Sequence, residues 1–186
     1  MNRFLAGIVF TGLACIPAQS AEPTFPIPDY RTWVFLTSSL DLNYDEPVPG
    51  TTTRRSMLDN VFVNPEAYQA FVKSGTWPDG TVMVKENRLA ESAGELSKTG
   101  KFQTAVASIE LHVKDGVRFP DKWAFFVSDG KIPGRYIPPG ANCYTCHGDH
   151  GAVDTTFVQF YPTLLAIAKT KGTLSVNYRK PAHATP

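Results

Sequence analysis

The sequence predicts an α+β fold, a single domain built mainly from an antiparallel β-sheet with a few helices. Several segments alternate apolar and polar residues, or are rich in β-branched and aromatic residues, as strands are. Turn residues separate these segments, and only two stretches carry the signals that start and stop a helix. The 186 residues suffice for one domain with a substantial core.

Five segments are typical of strands: residues 30–42, 59–63, 81–89, 102–114 and 122–127. The fourth alternates most clearly. Its apolar face is predicted to hold Ile109, Leu111 and Val113, and its polar face Ser108, Glu110 and His112. The first helix is expected to start at Asn64-Pro65-Glu66, with Asn64 as N-cap, and to end at Gly75. The second is expected over residues 161–171, with Gly172 just after its end.

The N-terminus has the pattern of a secretory signal. Arg3 precedes an almost unbroken apolar run, Phe4 to Ile16, and Ala18-Gln19-Ser20 offers small residues at a cleavage site. The run is short of the roughly 20 residues that span a membrane, which disfavours a retained anchor. We therefore expect a signal peptide over residues 1–20, a domain over 21–186, periplasmic export and no membrane span after cleavage.

Charge excludes some partners. Without Arg3, 17 basic residues balance 17 acidic ones. A formally neutral chain argues against nucleic acid and against a strongly basic face for an acidic partner.

The most specific motif is Cys143-Tyr144-Thr145-Cys146-His147. C-x-x-C-H is the attachment signature of a c-type haem: two thiols at this spacing reach the two vinyl groups on one edge of the porphyrin. The imidazole of His147 then lies under the iron as its axial ligand.

A zinc knuckle, a redox dithiol and a chance match are the alternatives to haem. Zinc would require a second Cys/His pair, and residues 21–186 contain no further cysteine. A redox dithiol is expected early in a chain, whereas this pair lies near the C-terminus. Because c-type haem is attached outside the cytoplasm, the export signal strengthens the haem interpretation. One covalent haem c is therefore expected.

Several stretches resemble the cytochrome P-460 family. They are Phe62-Val63-Asn64-Pro65-Glu66-Ala67-Tyr68, Asp79-Gly80-Thr81-Val82-Met83-Val84-Lys85-Glu86, Trp123-Ala124-Phe125, the Cys143–His147 motif with Gly148, and Phe157-Val158-Gln159-Phe160-Tyr161-Pro162. Their order and spacing match over roughly residues 29–170. The resemblance implies a mainly antiparallel β fold, a homodimer, and a five-coordinate haem with an open distal side. It also implies oxidation of hydroxylamine, with electrons passed to a small redox protein.

Lys85 and Glu110 are the candidate catalytic residues that this resemblance supplies. A lysine in a strand is usually a solvated edge residue, but Lys85 occupies the position of the lysine that hydroxylamine-oxidising members join to the porphyrin. Such a link would distort the ring and change the iron's electronics. Glu110 falls where the family places a distal carboxylate, which could accept protons from hydroxylamine. The alternative is a surface glutamate paired with His112 or Lys114.

One departure from the family concerns charge. Some members hold an arginine over the distal pocket, and the corresponding residue here is Asp59. Arg54, Arg55 or Arg88 could serve instead. His150, Met57 and Met83 could in principle bind iron, but His150 is interpreted as a surface residue and the two methionines as core packing.

Two other functions remain open at this level. A nitric-oxide-binding protein of the related c-prime-beta kind would have no lysine link and an apolar distal wall, for which Phe35, Phe62 and Phe102 are candidates. An electron-transfer cytochrome would need a sixth iron ligand from the protein.

Overall fold

The computed structural model describes residues 22–42, 55–92, 94–95 and 97–179. The predicted signal peptide over residues 1–20 and the candidate Arg54 lie outside these ranges.

A single antiparallel sheet dominates the described part of the chain, which confirms the predicted fold class. Its seven strands are ordered β1-β7-β6-β5-β4-β3-β2. They span β1 Thr24–Phe25, β2 Val34–Leu40, β3 Met57–Val63, β4 Val82–Glu91, β5 Phe102–Lys114, β6 Trp123–Ser128 and β7 Gly134–Ile137. From β2 to β6 the strands follow one another as neighbours, which is the simplest way to build an antiparallel sheet from short connections.

Three α-helices accompany the sheet in the described residues: α1 Pro65–Ser74, α2 Asn142–His150 and α3 Pro162–Lys171. Both predicted helices are therefore present. Helices α1 and α3 end at Gly75 and Gly172, whose φ angles of 79° and 69° lie in the left-handed region that glycine adopts without strain. None of the described helices is long and apolar enough to cross a membrane.

Asn64 differs from the expectation for an N-cap. Its side chain makes no cap hydrogen bond to helix α1. Instead, its Oδ1 accepts a hydrogen bond of 2.9 Å from the backbone N–H of Val82. Asn64 therefore ties the start of α1 to the start of β4.

Each face of the sheet covers its own apolar core. On one face, β5 and β6 contribute Ile109, Leu111, Val113 and Phe126 to a cluster closed by Tyr30 and Phe119. On the other face, one end of the sheet is covered by α1 and α3, through buried residues that include Phe71, Trp77, Val158, Leu164 and Ala168. The helices leave the rest of this second face open, and the candidate site lies there.

Candidate haem site

A cavity lies on the helix-bearing face of the sheet, beside the covered end. It has a volume of about 620 Å³, within the range of roughly 300–1,000 Å³ typical of cofactor and ligand cavities. Strands β3, β4 and β5 form one wall, through Asp59, Lys85 and Glu110, and helix α2 forms the other through Cys143, Cys146 and His147. The cavity thus brings together all five site residues predicted from the sequence, which are Lys85, Glu110, Cys143, Cys146 and His147.

Helix α2 presents the haem-attachment residues to this cavity. Cys143 and Cys146 are three residues apart, so they lie on the same side of the helix one turn apart. Both are free thiols and both are half-buried. Burial, with Cys143 and Asp149 nearby, raises the pKa of the Cys146 thiol.

His147 is held in a defined orientation. Its Nδ1 lies 2.8 Å from the backbone oxygen of Thr155. Because a carbonyl oxygen only accepts hydrogen bonds, Nδ1 carries the proton and the lone pair resides on Nε2. Burial lowers the pKa of His147 to about 4, so the ring is neutral at pH 7. A neutral imidazole anchored by a carbonyl is the form that binds metals.

Aromatic side chains surround the His147 ring. Its centroid lies 4.3 Å from that of Phe157, 4.7 Å from Phe125 and 4.9 Å from His112. His112 is itself stacked on Phe125 at 4.0 Å, and burial lowers its pKa well below the usual value. These closely packed rings fix the plane of the His147 ring and limit the access of water to it.

The loop after α2 supports His147 through the Thr155 carbonyl. Asp154 and Thr155 have φ angles of 50° and 62°, a conformation that costs non-glycine residues about 1–2 kcal/mol. Asp154 forms an ion pair with Lys114, while Trp77 Nε1 donates a 2.9 Å hydrogen bond to Thr156 Oγ1. These contacts hold the strained turn so that the Thr155 carbonyl meets the histidine.

On the strands that line the cavity, Lys85 and Glu110 are direct neighbours. They pair in the register of β4 and β5, and Lys85 Nζ lies 3.1 Å from Glu110 Oε2. The other carboxylate oxygen, Oε1, accepts a 2.8 Å hydrogen bond from Asn87 Nδ2. Glu110 is therefore not paired with His112 or Lys114, and its carboxylate belongs to a polar group on the cavity wall.

The structure shows which of Asp59 and the candidate distal arginines lie at the cavity. Asp59, at the family's arginine position, is buried and lines the cavity. Arg55 also lines it. Arg88 points to the other face of the sheet, where it pairs with the buried Glu86. Among the described arginines, Arg55 is thus the one placed at this cavity.

The three phenylalanines expected in the distal wall do not line the cavity, so that expectation is wrong. Phe62 alternates with Val61 and Val63 along β3 and therefore faces the other side of the sheet, where its ring lies 5.6 Å from that of Phe35. Phe35 and Phe102 are 53% and 49% exposed. The apolar lining comes instead from other residues: Val61, Met83, Phe125, Phe157 and Phe160.

Of the remaining alternative ligands, His150 and Met83 fall as expected, whereas Met57 is half-buried and lies outside the core clusters. His150 is exposed at the end of α2. Met83 is buried in the core cluster beneath α1 and α3, although it and Met57 also reach the cavity lining. Sequence reasoning missed Asn87 and the loop at Thr155. Asn87 follows Lys85 by two residues on a predicted strand, so the shared face could have indicated it, whereas a backbone carbonyl leaves no mark in the sequence.

These residues fit a c-type haem. Two thiols and an oriented neutral imidazole lie on one wall, aromatic rings flank the imidazole, and the facing wall lies across a cavity of suitable volume. The donor set is that of thioether attachment with one nitrogen ligand. Within the described residues, no cluster of three or more His, Cys, Asp or Glu side chains could hold a separate metal ion.

Comparison with known proteins agrees with this geometry. No individually curated protein matches the sequence. Residues 27–158, well over half of the chain, match the family Cytochrome P460. The matched region contains the cavity-lining strands and the whole C-x-x-C-H motif. The chain therefore belongs to the Cytochrome P460 family, which makes it a haem cytochrome with a covalently bound c-type haem.

Proposed function

We propose that this protein is a periplasmic oxidoreductase that oxidises hydroxylamine at a five-coordinate haem whose axial ligand is His147. The observation that carries the proposal is the position of Lys85 and Glu110. They form an ion pair on the sheet strands that line the same cavity as Cys143, Cys146 and His147. A haem held by Cys143, Cys146 and His147 would share this cavity with Lys85 and Glu110.

The haem, when bound, supplies an iron site that binds hydroxylamine and carries its electrons away. The chain's own residues supply the rest. The Nε2 lone pair of His147 would bind the iron, because Nδ1 is committed to the Thr155 carbonyl. Glu110 offers a carboxylate on the other wall. Because hydroxylamine loses protons as it loses electrons, a carboxylate within the cavity can act as the proton acceptor.

Lys85 has a second role in this proposal, as a covalent attachment to the porphyrin rim. Its side chain lies on β4, an interior strand of the sheet, and is 29% exposed. It therefore extends from a rigid element into the cavity instead of into bulk water. A link from a rigid strand to the ring would hold the macrocycle distorted, which changes the electronics of the iron.

Peptide mapping tests the link directly. Trypsin should release residues 74–85 when Lys85 is free, since it cuts after Lys73 and Lys85. With the link in place, cleavage after Lys85 is blocked, and residues 74–88 stay joined through the haem to the peptide of residues 136–169. Recovery of the free 74–85 peptide in full yield from the haem-loaded protein would exclude the link.

The activity is tested by hydroxylamine turnover with an artificial electron acceptor. Wild type should oxidise hydroxylamine. Lys85→Leu should keep its haem but lose the activity, because the thioethers and His147 are untouched. The matched control is Lys73→Leu, an exposed lysine in the last turn of α1, which should behave as wild type. Turnover by Lys85→Leu at the wild-type rate would contradict the role of Lys85. If wild type bound nitric oxide but did not oxidise hydroxylamine, the c-prime-beta function would be favoured.

Partners follow from the same proposal. Electrons leaving the haem need an acceptor, for which a small redox protein of the periplasm is suitable, and a homodimer is the assembly implied by the family. Size-exclusion chromatography with light scattering of the haem-loaded protein tests the dimer, and fractionation of cells expressing the full chain tests export.

A further inference from the structure

Asn87 is a buried amide placed beside the proposed proton acceptor. It is 4% exposed and lies two residues after Lys85 on β4, so both side chains face the cavity. Its Nδ2 donates one hydrogen bond of 2.8 Å to Glu110 Oε1 and another of 2.7 Å to Ser108 Oγ. Asn87 therefore connects Glu110 to the next residue pair on the same face of the β4–β5 ladder, where Asn87 pairs with Ser108.

Chemistry fixes the orientation of this amide. An ionised carboxylate accepts hydrogen bonds and cannot donate them, so the nitrogen of Asn87 must face Glu110. Rotation of the amide by half a turn would bring Oδ1 against the carboxylate oxygen. Both N–H groups are used, while Oδ1 is buried without a hydrogen-bond partner among the described residues. Leaving an acceptor buried and unpaired costs about 1–3 kcal/mol, which indicates that the position is not optimised for stability alone.

Glu110 needs such a partner to have a defined position. Its side chain is 44% exposed and has three rotatable bonds, so ordering it opposes a side-chain entropy of up to about 1.5–2 kcal/mol. The partner of Oε2 is Lys85, whose amine is carried on a flexible four-carbon stem. This amine would also change chemically if it became joined to the porphyrin. Asn87, short and buried, is the rigid donor of the pair.

We propose that Asn87 is the positioning residue that orients Glu110, holding Oε1 and leaving Oε2 as the oxygen that accepts protons from hydroxylamine. This inference rests on the proposed function. The proton moves from the O–H or N–H of hydroxylamine to Oε2, Glu110 becomes neutral, and the electrons pass to the haem and on to the redox partner. Asn87 itself donates to one oxygen throughout and exchanges no proton.

Asn87→Leu is the principal test variant because leucine has a similar size and no donor. Asn60→Leu is the matched control. Asn60 is also a buried asparagine, 6% exposed, on the neighbouring strand β3. Its Nδ2 donates a 2.7 Å bond to Gln103 Oε1, and it does not line the cavity. Should Asn87→Leu fail to take up haem, Asn87→Asp keeps the size of the side chain and still lacks the N–H groups.

The first readout needs no turnover. The infrared stretching band of carbon monoxide bound to the reduced haem reports the charges around the distal side. One narrow band is expected for wild type and for Asn60→Leu, and a broadened or split band for Asn87→Leu, because Glu110 then occupies several positions. In a Glu110→Gln background the Asn87→Leu substitution should add no further broadening.

The second readout is kinetic. A base displaced by about 1 Å can lose up to about a hundredfold in rate, so kcat of Asn87→Leu should fall about tenfold to a hundredfold with KM changed less than about threefold. Asn60→Leu should keep the wild-type kcat. In the Glu110→Gln background Asn87→Leu should change kcat less than about twofold, since residues that act through one another are not additive.

Two results would overturn the inference: a carbon monoxide band in Asn87→Leu identical to that of wild type, or broadening of the same size after Glu110→Gln. Failure of the proposed function gives a different pattern. Wild type would then not oxidise hydroxylamine, while the infrared comparison would still decide whether Asn87 orients Glu110.

Discussion

Lys85 and Glu110 face each other across neighbouring strands, with Nζ 3.1 Å from Oε2, and line the same cavity as the haem-attachment helix. An ion pair between two partly exposed side chains stabilises a fold by only about 0–1 kcal/mol. Stability therefore gives little reason for this pair to lie on the cavity wall. A role in the chemistry of the cavity explains its position better.

Glu110→Gln is predicted to lose most of the hydroxylamine oxidation. The amide keeps the size and part of the hydrogen bonding of the carboxylate but cannot accept a proton. Loss of a positioned general base lowers rates by about 10²–10⁴-fold. Stopped-flow or steady-state turnover measures the loss, and chemical denaturation should show stability within about 1 kcal/mol of wild type because the ion pair is partly exposed. Wild-type turnover in Glu110→Gln would remove this residue from the mechanism.

Gly151 is predicted to be required for the close approach of the Thr155 loop to the end of α2, which orients His147. A Cβ built on it would lie 2.6 Å from the His147 backbone oxygen and 2.7 Å from the Thr155 backbone carbon. Backbone atoms cannot yield as a flexible side chain can, so Gly151→Ala should push the end of α2 away from the Thr155 loop. Overpacking of this kind costs about 1–3 kcal/mol. Thermal denaturation should record the loss, together with a changed haem spectrum.

Gly148→Ala is the control for that substitution. Gly148 lies within helix α2, three residues before Gly151, is exposed, and its Cβ would meet nothing within 4 Å. Replacing an exposed helical glycine by alanine stabilises by about 0.5–1 kcal/mol. Opposite effects of the two substitutions are expected. Equal effects would show that the close contacts at Gly151 do not matter.

Tyr144, within the haem motif, is predicted to make stability sensitive to alkaline pH. Its Oη donates a 2.9 Å hydrogen bond to the Ile137 carbonyl, and burial raises its pKa from 10.0 to about 12. Between these two values the unfolded chain has lost a proton that the folded chain keeps, so the free energy of unfolding falls as pH rises. Below pH 10 this contribution is fully present.

Tyr144→Phe removes that proton and should make the dependence of stability on pH shallower between pH 10 and 12. Other buried tyrosines titrate in both proteins, so the relevant quantity is the difference between wild type and variant. Urea denaturation at a series of pH values measures it. The variant should also be about 1–3 kcal/mol less stable at pH 7, because the hydroxyl also accepts a 3.4 Å hydrogen bond from the Phe125 backbone N–H and both hydrogen bonds are lost. Parallel pH curves would mean that Tyr144 ionises alike in both states.

The sequence predicted the long elements well because their signals are local. Residues 102–114 alternate cleanly, and β5 spans Phe102–Lys114. Helix α1 begins with proline and ends before glycine, and both predicted ends hold. Strands β1 and β7 were not predicted, since β1 has two residues and β7 four, too few to show a period. Their pairing depends on contacts between residues about 110 positions apart.

The candidate site was predicted in part, for a similar reason. Cys143, Cys146 and His147 form one short motif, and the resemblance placed Lys85 and Glu110. The Thr155 carbonyl that orients His147 could not be found, because every residue carries a carbonyl and only the tertiary fold selects this one. The phenylalanines were misplaced for another reason. A one-residue step along β3 moves a side chain to the other face of the sheet, and Phe62 lies on that other face.

The absorption spectrum of the dithionite-reduced protein, expressed with its N-terminal segment and the haem-attachment machinery, tests the central claim most directly. A porphyrin joined to Lys85 should give a Soret band moved far to the red of ordinary haem c, and Lys85→Leu should return the band to the ordinary position. An ordinary high-spin haem c spectrum from wild type, identical to that of Lys85→Leu, would contradict the account.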